Sequence, residues 1–272
     1  KPHLHIWNAE TGESLRVNDK IAFDLMPDDF AALWIEGRDK PQAPRPEGAL
    51  LLATFNGTIA PAFGGGIAAP SVSKIGEATE FDAGKALVVS RIHRAVGYPI
   101  VPDWVAGSVV LDVDLRDPDW LPLRLLALRH HLDVSLSYVK RKDGTGLLLR
   151  AREIPPEKLD LNTRQDPAQT REQFVTLPEA ARAGLHRLIL TWRSGQYALY
   201  LDGKRVGELG GPAAPRLRST EALAAGLWIG DGQGGRKSEA RAAVDAVSLY
   251  DWAFPAATAR EAGGPGKHDI VA

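Results

Sequence analysis

Short strand-forming runs, each closed by turn residues, recur at intervals of about ten positions through most of the chain, and no other feature restricts the fold so strongly. The runs fall at 49–55, 77–81, 86–89, 108–115, 123–128, 134–140, 146–152, 173–177, 187–192, 197–201, 227–229 and 244–250. Strands spaced this closely, with no helix between them, do not form βαβ units. They form antiparallel sheets that bury one face against each other. The expectation is an all-β sandwich of two antiparallel sheets. Only 178–183 and 255–261 have helical character, with Pro255 suited to a first helical position.

Ahead of the sandwich, Ile21, Phe23, Leu25, Ala31, Leu33 and Ile35 alternate about a Pro27-Asp28-Asp29 cluster and read as a hairpin. Prolines 41, 44 and 46 supply no ladder donor, so 41–48 reads as a linker. The expected organisation is a β segment over 1–40, giving extra strands or the tail of an upstream domain, then the linker 41–48, a sandwich over 49–262 and a tail over 263–272.

At 272 residues the chain can bury one large core, and 44% hydrophobic content with 25% charged residues excludes disorder. With 33 basic against 34 acidic residues there is no global field to gather a polyanion, which argues against a nucleic-acid partner. Cysteine is absent, so disulfides, thiolate metal sites and thiol nucleophiles are excluded. No apolar run approaches the roughly 20 residues a membrane helix needs. The chain opens at Lys1 and holds one methionine, Met26, which reads as a processed, trimmed or excised product; the expected setting is a larger exported bacterial protein, secreted or held at the cell surface.

The most informative stretch is 184–254. A strand ending Leu188-Ile189-Leu190-Thr191-Trp192 turns at Ser194-Gly195 into Gln196-Tyr197-Ala198-Leu199-Tyr200-Leu201, which turns again at Asp202-Gly203, a pair suited to a type I′ turn. Leu227-Trp228-Ile229-Gly230 and Val244-Asp245-Ala246-Val247-Ser248-Leu249-Tyr250 follow. This order resembles the C-terminal half of concanavalin A-like and laminin G-like domains, and with looser matches upstream the resemblance covers 49–262. It implies a jelly-roll sandwich with a lectin-like role. Two positions depart from the pattern: Leu111 and Asp112 stand where an aromatic pair is usual, and Ala246 stands where an acid follows Asp245.

The resemblance also implies a calcium ion, with Asp245 as its first ligand and Asp82, beside a strand end, as a second oxygen donor. A sugar needs a flat aromatic face flanked by hydrogen-bonding groups. Trp104, Trp120 and Trp252 each follow an aspartate in a turn-rich segment and are the candidates. Asp231 and Arg236, in the glycine-rich loop after 229, are candidate hydrogen-bonding groups. Trp192 and Trp228, inside strands, read as core, and His186 reads as a packing residue. No strand carries glutamates on alternate residues, the arrangement expected of a retaining glucanase on this sandwich. The reading is a noncatalytic module binding a polysaccharide or glycan beside other domains of a parent protein. Its alternatives are a glycoside hydrolase or polysaccharide lyase on the same fold, and a structural or protein-binding sandwich.

Overall fold

A computed structural model describes residues 3–8, 14–15, 33–38, 48–64, 70–73, 77–83, 85–100, 105–129, 132–153, 170–211, 226–230 and 240–264, the first three stretches as backbone. The chain divides into two compact units, Lys1–Arg45 and Pro46–Ala272.

In the first unit β1 (His3–Asn8) lies between β2 (Ser14–Leu15) and β3 (Leu33–Arg38), all antiparallel. The hairpin expected over 21–35 takes a different form. Its first arm lies outside the described residues, and β3 pairs with β1 from His3 opposite Arg38 to Asn8 opposite Leu33. Alternation identifies a strand and its two faces; it does not name the neighbour.

The second unit is a jelly-roll-like sandwich. In chain order its elements are β4 (Ala49–Thr54), β5 (Phe63–Gly64), β6 (Ser71–Val72), β7 (Phe81–Asp82), β8 (Ala86–Ser90), β9 (Val96–Tyr98) and β10 (Ala106–Asp117). Then come β11 (Leu123–Arg129), β12 (Leu132–Arg141), β13 (Gly144–Glu153), β14 (Thr170–Thr176), β15 (Gly184–Arg193) and β16 (Gln196–Leu201). The series ends with β17 (Lys204–Gly210), β18 (Gly226–Ile229), β19 (Arg241–Tyr250) and the helix α1 (Ala256–Glu261). The first sheet runs β17-β16-β15-β10-β19-β4-β5, with β8 also on β19 and β7 on β8; the second runs β14-β13-β12-β11-β18-β9-β6. The described pairings between these strands are antiparallel.

Period-two alternation builds the core. Val109, Leu111, Val113 and Leu115 of β10, with Leu188, Leu190 and Trp192 of β15, face Leu136 and Tyr138 of β12 and Leu147 and Leu149 of β13 in one buried cluster. Trp228 departs from its core reading. Its neighbours Leu227 and Ile229 enter the cluster, so Trp228 must project to the opposite face, where its ring lies against Gly97; a Cβ there would stand 2.7 Å from ring atoms.

Both expected tight turns form. Ser194 and Gly195 take φ of 48° and 79°, and Asp202 and Gly203 take 48° and 78°, the paired positive values of type I′ turns. At Gly203 a Cβ would come within 2.9 Å of the Arg260 carbonyl, because α1 docks against this turn. The 178–183 segment closes to a short 3-10 turn, Glu179–Ala181, and Pro255 sits just before α1 in extended conformation rather than in its first turn.

Helix α1 covers part of the first sheet's outer face, where Val110, Ile189, Tyr200, Tyr250, Phe254, Ala259 and Ala262 form a second apolar cluster. Beneath its C-terminal end Arg187 pairs with Asp112 through two bonds, Nε to Oδ1 at 2.7 Å and a terminal nitrogen to Oδ2 at 2.6 Å. The remaining terminal nitrogen donates to the Ala262 carbonyl at 2.7 Å. This pair accounts for Asp112 and bears on Ala246, which stands directly opposite it across β10 and β19. An acid at 246 would face a second carboxylate.

Candidate functional site

A groove of about 300 Å³ opens on the outer face of the first sheet, between the β15–β17 end and the segment entering α1. Its shape follows from register. On β16 Tyr197 and Leu199 fill the core, so Gln196, Ala198 and Tyr200 face outward. Thr191 pairs with Ala198, and Ala198 with Glu208, so the middle of the floor carries a side chain of one carbon. Arg193, Gln196, Arg205 and Glu208 supply polar groups, while Tyr200, Phe254 and Pro255 supply apolar lining. A concavity of this size, with a few convergent polar groups, has the form of a small-ligand site.

Two interactions hold its margins. Buried Ser108 Oγ lies 2.9 Å from the Trp252 carbonyl and accepts the Phe254 N–H at 2.9 Å, which ties the 252–254 turn to the start of β10. At the opposite margin the Glu208 N–H donates to Gln173 Oε1 at 2.7 Å, linking the edge strands of the two sheets. Arg205 and Glu208 form an exposed ion pair at 2.6 Å, an arrangement that stabilises the fold little and leaves both groups open to a ligand. Burial beneath the groove floor, in the core, pushes the Tyr197 phenol up to about 12.

The sequence-derived candidates are distributed differently. Trp252 is half-buried beside the groove, its ring centroid 4.6 Å from that of Phe254. Trp120 is 58% exposed in the β10–β11 turn, with Lys140 Nζ 5.8 Å from its ring centroid and its backbone N–H donating to Asp119 Oδ1. The two tryptophans lie at opposite ends of β10: Trp252 is anchored at Ser108, Trp120 lies just past Asp117, and β10 spans roughly 30 Å between those points. Trp104, Asp231 and Arg236 lie outside the described residues.

Asp245 occupies a bulge, since Val244 and Ala246 pair with consecutive residues of β10, and its carbonyl accepts the Phe55 N–H at 2.9 Å. The Asp82 carboxylate accepts a bond from Arg116, whose Nε also reaches Asp114 at 2.8 Å. A cation at Asp82 would have to displace that guanidinium. Among the described residues no three His, Asp or Glu side chains converge as a metal site.

His186 joins the Asp202 turn, with Nδ1 2.8 Å from the carboxylate and Nε2 3.0 Å from the Ala183 carbonyl. Ser90, His93 and Glu80 line up in relay order, with Ser90 Oγ 2.9 Å from His93 Nδ1 and His93 Nε2 3.1 Å from Glu80. Yet Ser90 is 2% exposed and accepts the Ile92 and His93 N–H groups, so it shapes a turn.

Sequence reading missed Ala198, Tyr200, Arg205 and Glu208. The alternation of β16 that buries Tyr197 and Leu199 was the available signal, because it necessarily exposes 196, 198 and 200.

No family model matches the chain, and no curated protein matches it by sequence. In shape it is similar to the binding domain of Paraclostridial Mosquitocidal Protein 1, with a TM-score of 0.51 at 9% identity over 79% of this chain and 51% of that one. It is likewise similar to the receptor-binding domain of the botulinum neurotoxin C/D mosaic serotype, at 0.53 and 7% over 79% and 50%. A third structure concerns botulinum neurotoxin type C, whose cell entry depends on interaction with two ganglioside molecules, at 0.53 and 8% over 79% and 50%. The chain spans about half the length of these structures. At such identities the likeness is one of fold, and the fold shared with these sheet-rich binding domains is a β-sandwich.

Proposed function

We propose that Pro46–Ala272 is a noncatalytic, lectin-like module of the concanavalin A-like and laminin G-like kind, which holds a glycan in the groove over Ala198 for a larger exported or surface protein. The observation that carries the reading is the groove itself: a floor of Ala198 and Thr191, aromatic lining from Tyr200 and Phe254, and Arg193, Gln196, Arg205 and Glu208 able to bond sugar hydroxyls. Glu208 is the one carboxylate among the described lining residues and is engaged by Arg205, which supports binding without cleavage, since glycoside hydrolysis generally uses two carboxylates. The fold is also used by a neurotoxin domain structure concerned with ganglioside interaction.

The test is a glycan and polysaccharide binding screen with calcium and with chelator, assayed in parallel for released sugar ends. The expected result is binding without cleavage. Ala198→Trp, which fills the groove, and Arg205→Ala should each weaken that binding about tenfold. Unchanged affinity in both removes the groove from the reading. Loss confined to Trp104→Ala, Trp120→Ala or Trp252→Ala moves the site to those rings, and a requirement for calcium brings Asp245 and Asp82 back as ligands.

A further inference from the structure

We infer a second binding surface, independent of the groove: the outer face of the second sheet is built to hold an acidic polysaccharide, one bearing carboxylate or sulfate groups. The register places Arg150 and Arg152 of β13 beside Ser135 and Asp133 of β12, and Arg129 beyond Asp133 on β11. Arg124 stands opposite Ser137 on the same face. Arg141 reaches over β14, its guanidinium 4.8 Å from the Phe174 ring centroid and 3.5 Å from Glu172. Among the described residues, five arginines therefore share this face with two carboxylates, Asp133 and Glu172, in a chain whose formal net charge is -1.

Among the described residues the arginines of this face outnumber its carboxylates. Glu172 serves two cations at once, and its bond from Arg150 holds its carboxyl below the usual carboxylate range. The Arg141, Arg150 and Arg152 side chains keep 37%, 34% and 23% of their surface in contact with solvent, so they are close enough to water to exchange a protein carboxylate for a ligand's.

The row between them suits a flat polymer. From Arg150 it crosses Ser135 and Ala127, 5% and 0% exposed beneath their neighbours, to Trp228 over Gly97, with Arg129 5.8 Å from the Trp228 centroid, so the arginines and the ring present the surface. Trp228 and Arg150 stand three strands apart, roughly 14 Å. A sugar ring against Trp228 thus leaves acidic groups further along the chain within reach of Arg150 and Arg152. The outer face of the first sheet lacks this character, being covered in part by α1 and its apolar cluster.

The experiment measures affinity for heparin, polygalacturonate and neutral dextran over a range of ionic strength. Both acidic polymers should bind, more tightly at low salt, and dextran should not bind this face. Arg150→Ala with Arg152→Ala should weaken acidic-polymer binding at least tenfold. Glu172→Gln, which releases Arg141 and Arg150, should strengthen it, a gain that a misfolded protein cannot give. Glycan binding in the groove should be unchanged in both variants, so failure here is distinguishable from failure of the groove. Acidic-polymer binding that does not weaken as salt rises overturns the inference, as does wild-type affinity in the variants. Tighter binding of duplex DNA than of either acidic polysaccharide overturns it in favour of a nucleic-acid surface.

Discussion

Asp112→Asn is the sharpest probe of what holds the groove's outer face together. The substitution nearly preserves volume, so it removes charge and leaves packing. Asp112 and Arg187 are 2% and 1% exposed, and the guanidinium meets both carboxylate oxygens while its remaining nitrogen holds the Ala262 carbonyl. Removing one partner of such a pair strands the other charge out of water, at about 3–5 kcal/mol. The retained amide oxygen places the expected loss at the lower end, about 3 kcal/mol. For a unit of this size that corresponds to a fall in Tm of about 6–12 °C. Urea unfolding followed by tryptophan fluorescence, with calorimetry for Tm, measures both. The partner test is Asp112→Leu with Arg187→Met, which removes both charges and should recover most of the loss, the residue being about 1 kcal/mol for the Ala262 carbonyl. A single-variant loss under about 1 kcal/mol, or a double-variant loss equal to the sum of the singles, refutes the argument that the pair acts as one buried unit.

Two further outcomes follow from neighbouring geometry. Ala246→Asp sets a second carboxylate directly across from Asp112 at a position 4% exposed and should destabilise by about 2 kcal/mol or more, measured by the urea midpoint; a neutral effect would disconnect Ala246 from the Asp112 pair. Burial raises the Tyr197 and Tyr138 phenols to about 12, whereas in the unfolded chain they ionise near 10. Their contribution is therefore complete below about pH 10 and is lost as pH rises through about 12. Tyr197→Phe should remove on the order of 2 kcal/mol of that alkaline loss, seen by comparing urea midpoints at about pH 9 and about pH 11.5, and an unchanged pH dependence would contradict it.

The fold was legible wherever a segment carried its own periodicity and its own turn. The runs at 146–152 and 187–192 lie inside β13 and β15, and Ser194-Gly195 and Asp202-Gly203 announce their turns by residue type alone. Strands of two or three residues, such as β5, β6 and β9, were not legible, because so few positions cannot express alternation. Trp228 shows where the method misleads. Leu227-Trp228-Ile229 reads as continuous core, yet a strand must send its middle residue to the opposite face, and the ring is accommodated there by Gly97, more than a hundred positions away in sequence. The groove had the same difficulty on a larger scale, since Ser108, Ala198 and Phe254 meet only after β10, β15 and β19 have paired. Its one local clue was the outward set Gln196, Ala198 and Tyr200.

The two outer faces of the sandwich solve the same physical problem in opposite ways, and this difference directs where ligands can bind. A sheet face left to water must be polar or be covered. On the first sheet the apolar residues Val110, Ile189 and Tyr250 require a cover, which α1 provides, and the fully desolvated Asp112–Arg187 pair is satisfied only because the helix end brings the Ala262 carbonyl to Arg187. The groove opens where that cover begins, so its wall at Ala253–Pro255 is as firm as the docking of the helix behind it. On the second sheet the same requirement is met by arginines paired across strands whose charges remain partly hydrated. A neutral sugar is therefore expected at the rim of the covered face, where apolar lining meets exposed polar groups, and a charged polymer on the arginine face, where counter-charge is retained. Loosening α1 through Asp112→Asn should accordingly weaken the first interaction and leave the second intact.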